Sequence, residues 1–150
     1  MTLTGGKGME RREDADVRKR IRDKLGIVYS DALERNLDLA ERYLRITEKG
    51  TVVLQKTENL SGKERILLYL VGKLYARKAG WADADEVGNQ ELMDELGVGG
   101  NSLRPWLKSL RDENKIERIE KGGKVFHKVP LYLVDKTLKD LEKKLEKSGG

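Results

Sequence analysis

This 150-residue chain contains no cysteine, which excludes disulfide bridges and thiolate metal sites. Cysteine-free composition is typical of intracellular proteins, so we expect a cytoplasmic location. The longest uninterrupted apolar run is Ile66 to Val71, far short of the roughly 20 apolar residues that a membrane-spanning helix needs. Residues 1–8 lack the apolar stretch of a signal peptide, and we expect them to form a disordered leader.

Histidine and aromatic residues are also scarce, with one histidine, His127, and an aromatic content of 5%. A single imidazole without cysteines cannot build a zinc site, and it supports no Ser–His–Asp or Cys–His arrangement. The sequence therefore predicts no metal, no cofactor and no enzymatic activity. Few aromatic side chains also disfavour binding to structured RNA or single strands, because single-strand binding depends on base stacking.

Charged residues are abundant, and their signs are segregated along the chain. The net charge is +4 over residues 61–80, −6 over 81–100 and +4 over 101–130. This alternation indicates a cationic face suited to a polyanion. The acidic stretch contains Asp83, Asp85 and Glu86 without the spacing of a calcium loop, and we expect it to face away from the polyanion or to dock a basic partner.

Hydrophobic periodicity predicts two helices and a hairpin in the N-terminal third. The first helix covers about residues 11–25, and a second begins near residue 30. The apolar stripe of the first helix comprises Val17, Ile21 and Leu25. Residues 45–55 carry β-branched side chains on both sides of a Lys-Gly turn, which predicts a short hairpin.

The central part of the chain predicts a buried helix over residues 61–79. Ser61 is a good N-cap, Glu64 occupies the capping-box position, and apolar residues surround much of the helix. The remaining predicted elements are helices over 89–96, 102–113 and 131–147 and a hairpin over 116–129.

The most informative pattern is the pair of amphipathic helices followed by the basic hairpin. The side chains expected to face the core are Leu92, Leu96, Val98, Leu103, Trp106, Leu107 and Leu110. A Gly-rich turn separates the two helices. This order resembles the winged helix-turn-helix family of prokaryotic or archaeal transcriptional regulators. The resemblance implies an α+β, mainly α fold, with an N-terminal extension (9–60), a winged-helix domain (61–130) and a C-terminal helix (131–150).

By this resemblance, the second helix of the pair enters the major groove of double-stranded DNA. Its polar face comprises Asn101, Ser102, Arg104, Lys108 and Arg111. Ser102 and Arg104 would meet base edges, whereas Lys108 and Arg111 would meet phosphates. Pro105 is tolerated only in a first helical turn, so we expect the helix to begin near Leu103 with Ser102 as its cap.

The hairpin supplies the second part of the expected DNA contact. The wing residues are Arg118, Lys121, Gly122, Gly123, Lys124 and Lys128. A Gly-Gly tip permits a tight turn and close approach of the backbone to a phosphate. In the family, basic wing tips lie along the DNA backbone or enter the minor groove.

The last helix carries an apolar seam for which two interpretations stay open. The seam comprises Val134, Leu138, Leu141 and Leu145. It either packs on its own domain or pairs with a second copy, and we favour a homodimer formed through this helix, the N-terminal helices or both. An alternative function is a winged-helix module that joins proteins in a larger assembly, with the N-terminal extension as the docking segment.

Overall fold

The computed structural model describes the backbone of residues 2–26 and 29–149 and the side chains of residues 12–26 and 29–144. The chain adopts an α+β fold that is mainly helical, which confirms the predicted class. The elements, in chain order, are α1 (Thr2–Leu25), α2 (Ala32–Arg35), α3 (Leu37–Tyr43), β1 (Leu44–Ile46), β2 (Val52–Leu54), α4 (Gly62–Lys78), β3 (Val87–Gly88), α5 (Asn89–Leu96), α6 (Gly100–Asp112), β4 (Glu117–Lys121), β5 (Lys124–Lys128) and α7 (Val134–Gly149). A short 3₁₀ turn, Leu131–Leu133, precedes α7.

Helix α4 is the centre of the core. It begins with the predicted capping box, in which the Ser61 side chain accepts a hydrogen bond from the Glu64 amide and Glu64 accepts one from the Ser61 amide. Its side chains are buried almost continuously over residues 66–76. Gly72 allows the β1–β2 hairpin to approach, because a Cβ at this position would lie 2.5 Å from a methyl carbon of Val52.

Two antiparallel hairpins form where they are predicted. In the first, Leu44 pairs with Leu54. In the second, Lys121 pairs with Lys124, and both residues between them, Gly122 and Gly123, have positive φ angles of 57° and 78°. Two consecutive left-handed residues define a type I′ turn, which matches the natural twist of a hairpin and strongly favours glycine.

The sequence prediction missed the third strand of the second sheet. Residues 81–88 lie between two predicted helices and have no predicted strand, but Val87 and Gly88 pair with His127 and Phe126, which gives the strand order β3-β5-β4. Strand β3 immediately precedes α5, so this pairing attaches the β4–β5 hairpin to the start of the helix pair.

The predicted start of α6 is wrong. The helix begins at Gly100 with Gly99 as its N-cap, and Ser102 lies inside its first turn. Pro105 is therefore within the helix and cannot donate a hydrogen bond to the Asn101 carbonyl. Asn101 is exposed, so water can satisfy this carbonyl, and complete burial of Leu103 favours the longer helix.

The prediction that the apolar seam of α7 forms a dimer interface is also wrong for the side chains that the structure describes. Val134, Leu138 and Leu141 are buried within the chain's own core, where α7 packs against α2, α3 and α4. They are therefore not available to a second copy. The side chain of Leu145 lies outside the described residues. The core draws on residues from 32 to 141, so much of the N-terminal extension and the C-terminal helix share one core with the central segment.

Helix α1 differs from the other long helices because its described side chains are not packed. Residues 12–25 are all exposed, including Val17, Ile21 and Leu25 at 48%, 51% and 77%. The helix begins at Thr2 and thus includes residues 2–8, where the sequence predicts a disordered leader; no proline there stops the helix from propagating. None of the described helices combines the length and apolar character required to cross a membrane.

Candidate nucleic-acid interface

Helix α6 separates an apolar face from a cationic one. Leu103, Leu107 and Leu110 are buried in the core. The predicted contact residues on the other side are exposed at Asn101, Ser102, Arg104 and Lys108 and half-buried at Arg111. No described residue covers the four exposed side chains. The helix therefore offers a polar, positively charged surface to solvent from Asn101 to Lys108.

The exposed side chains of α6 are arranged by local contacts. The Arg104 guanidinium lies over the first turn, where it donates to Oδ1 of Asn101 at 3.3 Å. Lys108 forms an ion pair with Asp112, one turn further on, at 3.0 Å. An exposed pair of this kind is worth only a few tenths of a kcal/mol, roughly, and yields readily to a phosphate.

The basic side chains of the β4–β5 hairpin differ in whether they form ion pairs. Lys124 is exposed and makes no ion pair with any described residue, whereas Arg118 pairs with Glu120 on the same strand at 2.7 Å. Lys121, on the other side of the turn, forms an ion pair with Glu86. Lys124 is thus the hairpin cation without an ion pair among the described residues, and the exposed Arg118–Glu120 pair is easier to separate than the Lys121–Glu86 pair, whose carboxylate is largely buried.

The acidic segment before β3 pairs with cations of the chain itself. Asp85 is buried, accepts a hydrogen bond from Arg77 at 3.0 Å and lies 3.7 Å from the Lys128 ammonium. Burial alone would raise the pKa of Asp85, but the Arg77 hydrogen bond and the charges of Lys128 and Arg77 hold it below its ordinary value. Lys128, a predicted DNA contact, therefore compensates a buried carboxylate. Only Asp83 of the expected acidic surface is exposed and outside these pairs.

His127 connects the hairpin to the helix pair. It lies on β5, is 2% exposed, and its Nε2 is 2.8 Å from Oδ1 of Asn89, the first residue of α5. Burial, together with the charges of Arg111 and Arg118, lowers the pKa of His127 to about 4. The ring is therefore neutral at pH 7, with Nε2–H donating to Asn89. Arg118 lies directly opposite His127 in the β4–β5 pairing.

Helix α4 holds the helix pair in place through polar contacts that the sequence prediction missed. The Lys63 ammonium lies 2.7 Å from Oγ of Ser109 and 2.7 Å from Oε1 of Glu113, which fixes the inner side of α6. This Lys63 hydrogen bond is the main reason that the pKa of Glu113 is lowered. The Tyr69 hydroxyl donates to Glu91 of α5 at 2.6 Å.

The sequence contains a pattern that predicts the burial of His127, but it contains none that predicts the long-range partners Asn89, Lys63 and Glu86. Val125 and His127 of β5 and the following Val129 alternate on the more buried side of the chain, and this alternation predicts an inward-facing histidine. The partners Asn89, Lys63 and Glu86 lie between 35 and 50 residues away from the groups they contact. No local spacing indicates such contacts.

Comparison of the chain with protein-family models, with curated proteins and with solved structures found no match. Among the described residues, no group of three or more His, Cys, Asp or Glu side chains could hold a metal ion. The functional interpretation therefore depends on the geometry and charge of α6 and the β4–β5 hairpin.

Proposed function

We propose that this protein is a non-enzymatic, sequence-specific binder of double-stranded DNA and acts as a transcriptional regulator of the winged helix-turn-helix type. The observation that carries the proposal is the exposed cationic face of α6, which stands on a fully buried apolar face. At 13 residues, α6 is about 20 Å long, a length that suits the major groove. The type I′ turn of the adjacent hairpin supports a wing that contacts the DNA backbone.

Base reading is assigned to the first half of α6. Arg104 can donate two hydrogen bonds to O6 and N7 of guanine, which discriminates against a wrong base by about 1–3 kcal/mol. Its contact with Asn101 is long at 3.3 Å, so the guanidinium can leave it without a large loss. Asn101 and Ser102 lie in the same exposed turn and are the other candidates for base edges.

Phosphate contacts are assigned to the second half of α6 and to the wing. Lys108 and Arg111 follow the base-reading turn, and Arg118 and Lys124 occupy the hairpin. Lys121 joins them once it leaves Glu86. Five phosphate contacts predict a slope of about −5 for the logarithm of affinity against the logarithm of salt concentration.

The test is duplex binding measured by fluorescence anisotropy at several salt concentrations, with fragments selected from a random pool. The variant Lys121→Ala/Lys124→Ala should weaken binding to every sequence and flatten the salt slope by about 2. The variant Arg104→Ala should instead relax the preference at a single base pair.

A matched control removes the same charge elsewhere. Lys49 and Lys78 are exposed at the other hairpin turn and at the end of α4, so Lys49→Ala/Lys78→Ala should leave both affinity and slope nearly unchanged. Equal effects of the two double variants, or wild-type binding that does not depend on salt, would refute the proposed interface.

A further inference from the structure

Helix α1 exposes an apolar stripe that has no partner in the described chain. Val17, Ile21 and Leu25 follow one another at intervals of four residues, and each is about half or more exposed. A single helix in water is marginally stable, because most helical stability in proteins comes from packing of an amphipathic face. The stripe therefore needs a surface that covers it.

The body of the protein exposes a groove of matching character beside α3. Its floor is formed by Ala40, Leu44 and Tyr75, and its two most exposed apolar side chains are Leu37 at 53% and Trp81 at 46%. Leu37 and Trp81 line the same groove, and contiguous exposed apolar surface marks interaction sites. We refer to this surface as the Trp81 groove.

The charges beside the stripe and the groove are complementary. Residues 18–24 of α1 carry five basic and one acidic side chain, and Arg20 and Lys24 border the stripe. Asp38 and Glu41 line the groove and are exposed. Arg45, the basic residue of the groove, donates to backbone carbonyls instead, one of them that of Leu44 at 2.9 Å. The groove thus favours an amphipathic helix with basic flanks, and α1 is such a helix.

We infer that the Trp81 groove binds α1 from a second copy of this chain, and that two copies exchange their α1 helices reciprocally. Within the described part of one chain neither surface is covered, since the α1 stripe and the groove residues Leu37 and Trp81 are exposed together. Reciprocal exchange covers both surfaces in both subunits and closes with two-fold symmetry. Val134, Leu138 and Leu141, the described part of the α7 seam, take no part, because they are buried within each subunit. The inference does not depend on DNA binding.

Disulfide trapping tests this contact directly, because the natural chain has no cysteine. Single variants Ile21→Cys and Leu37→Cys are mixed and mildly oxidised. We expect a cross-linked dimer that contains one chain of each kind, since a disulfide requires Cα atoms within about 7 Å. As a control, Lys19→Cys, on the opposite face of α1, should cross-link to Leu37→Cys much less.

Other products would overturn the inference. Efficient cross-linking of Ile21→Cys to itself would indicate pairing between α1 helices. Placing both cysteines in one chain should yield a doubly linked dimer, and an internally linked monomer would show that α1 folds back onto its own groove. Failure of both single variants to cross-link in the mixture would also refute the contact.

Sedimentation equilibrium of the full chain, without DNA, provides an independent measurement. Val17→Gln/Ile21→Gln removes the stripe without changing the charge and should raise the dimer dissociation constant about a hundredfold or more. The control Lys19→Gln/Asp23→Gln changes the opposite face and should leave the constant within about threefold. A monomeric wild-type chain, a foreign protein bound stoichiometrically in place of the second copy, or equal effects of the two variants would each overturn the inference.

Discussion

The stability of the protein should depend on pH through His127, the only histidine of the chain. Its pKa is about 4 in the folded protein, because it is buried near Arg111 and Arg118, and about 6.5 in an unfolded chain. Below pH 6.5 the unfolded chain therefore binds more protons than the folded one. The stabilising contribution is complete above pH 6.5 and is lost as pH falls towards 4.

The magnitude follows from the difference between the two pKa values. At 1.36 kcal/mol per pH unit, His127 should lower the free energy of unfolding by about 2 kcal/mol between pH 7 and 5 and by about 3 kcal/mol at pH 4. The assay is urea denaturation at several pH values for the wild type and for His127→Gln. Glutamine can still donate a hydrogen bond to Asn89 but does not titrate.

The comparison with His127→Gln separates the contribution of the histidine to the pH dependence of stability from that of the carboxylates. Asp85 and Asp135 also have lowered pKa values, so they too stabilise the fold less as the pH falls below their ordinary range, but they are present in both proteins. The difference in stability between the proteins should therefore shrink or reverse as the pH falls from 7 to 4. If the two stability curves stay parallel, or NMR titration of His127 places its pKa near 6.5, the reasoning is refuted.

Two further predictions concern Glu86 and α7. Glu86→Gln removes the ion pair that Lys121 must leave to reach a phosphate, so it should tighten DNA binding about two- to fivefold and keep the salt slope near −5. Glu117→Gln, on an exposed strand position, should leave the affinity nearly unchanged. Anisotropy titrations decide, and an unchanged affinity of Glu86→Gln would count against the wing contact of Lys121. Leu138→Ala should lower the free energy of unfolding by about 2–5 kcal/mol in urea denaturation, because Leu138 is a core residue. A variant that keeps its stability but dissociates a dimer would instead support α7 as a dimer interface.

Features determined by neighbours along the chain were predicted correctly. The capping box of Ser61 and Glu64 and the left-handed turn at Gly122 and Gly123 each involve residues within three positions of one another. Asn114, which follows α6, has a φ of 59°, and asparagine adopts this left-handed conformation more readily than most residues. Such features depend on backbone preferences and local hydrogen bonds, which the sequence contains in full.

Two predictions from the sequence failed. In one, core packing outweighed a local backbone preference, and in the other the element was too short to show a hydrophobic pattern. Pro105 favours a helix that begins near Leu103, but burial of the face that includes Leu103 extends α6 to Gly100. Strand β3 has only two residues, Val87 and Gly88, and alternation cannot be recognised over so short a segment. Both outcomes depend on groups that are distant in sequence.

The helices α1 and α7 show most clearly what the sequence alone determined and what the tertiary structure decided. Periodicity gives each helix an apolar stripe, and nothing in the spacing distinguishes Ile21 from Leu138. In the folded chain Leu138 is fully buried, whereas Ile21 is half exposed. A sequence pattern establishes that a face is apolar, but which surface covers it depends on the positions of other elements. In the same way, the pairing of Asp85 with Arg77 and Lys128 arises only when the fold brings β5 beside the acidic segment.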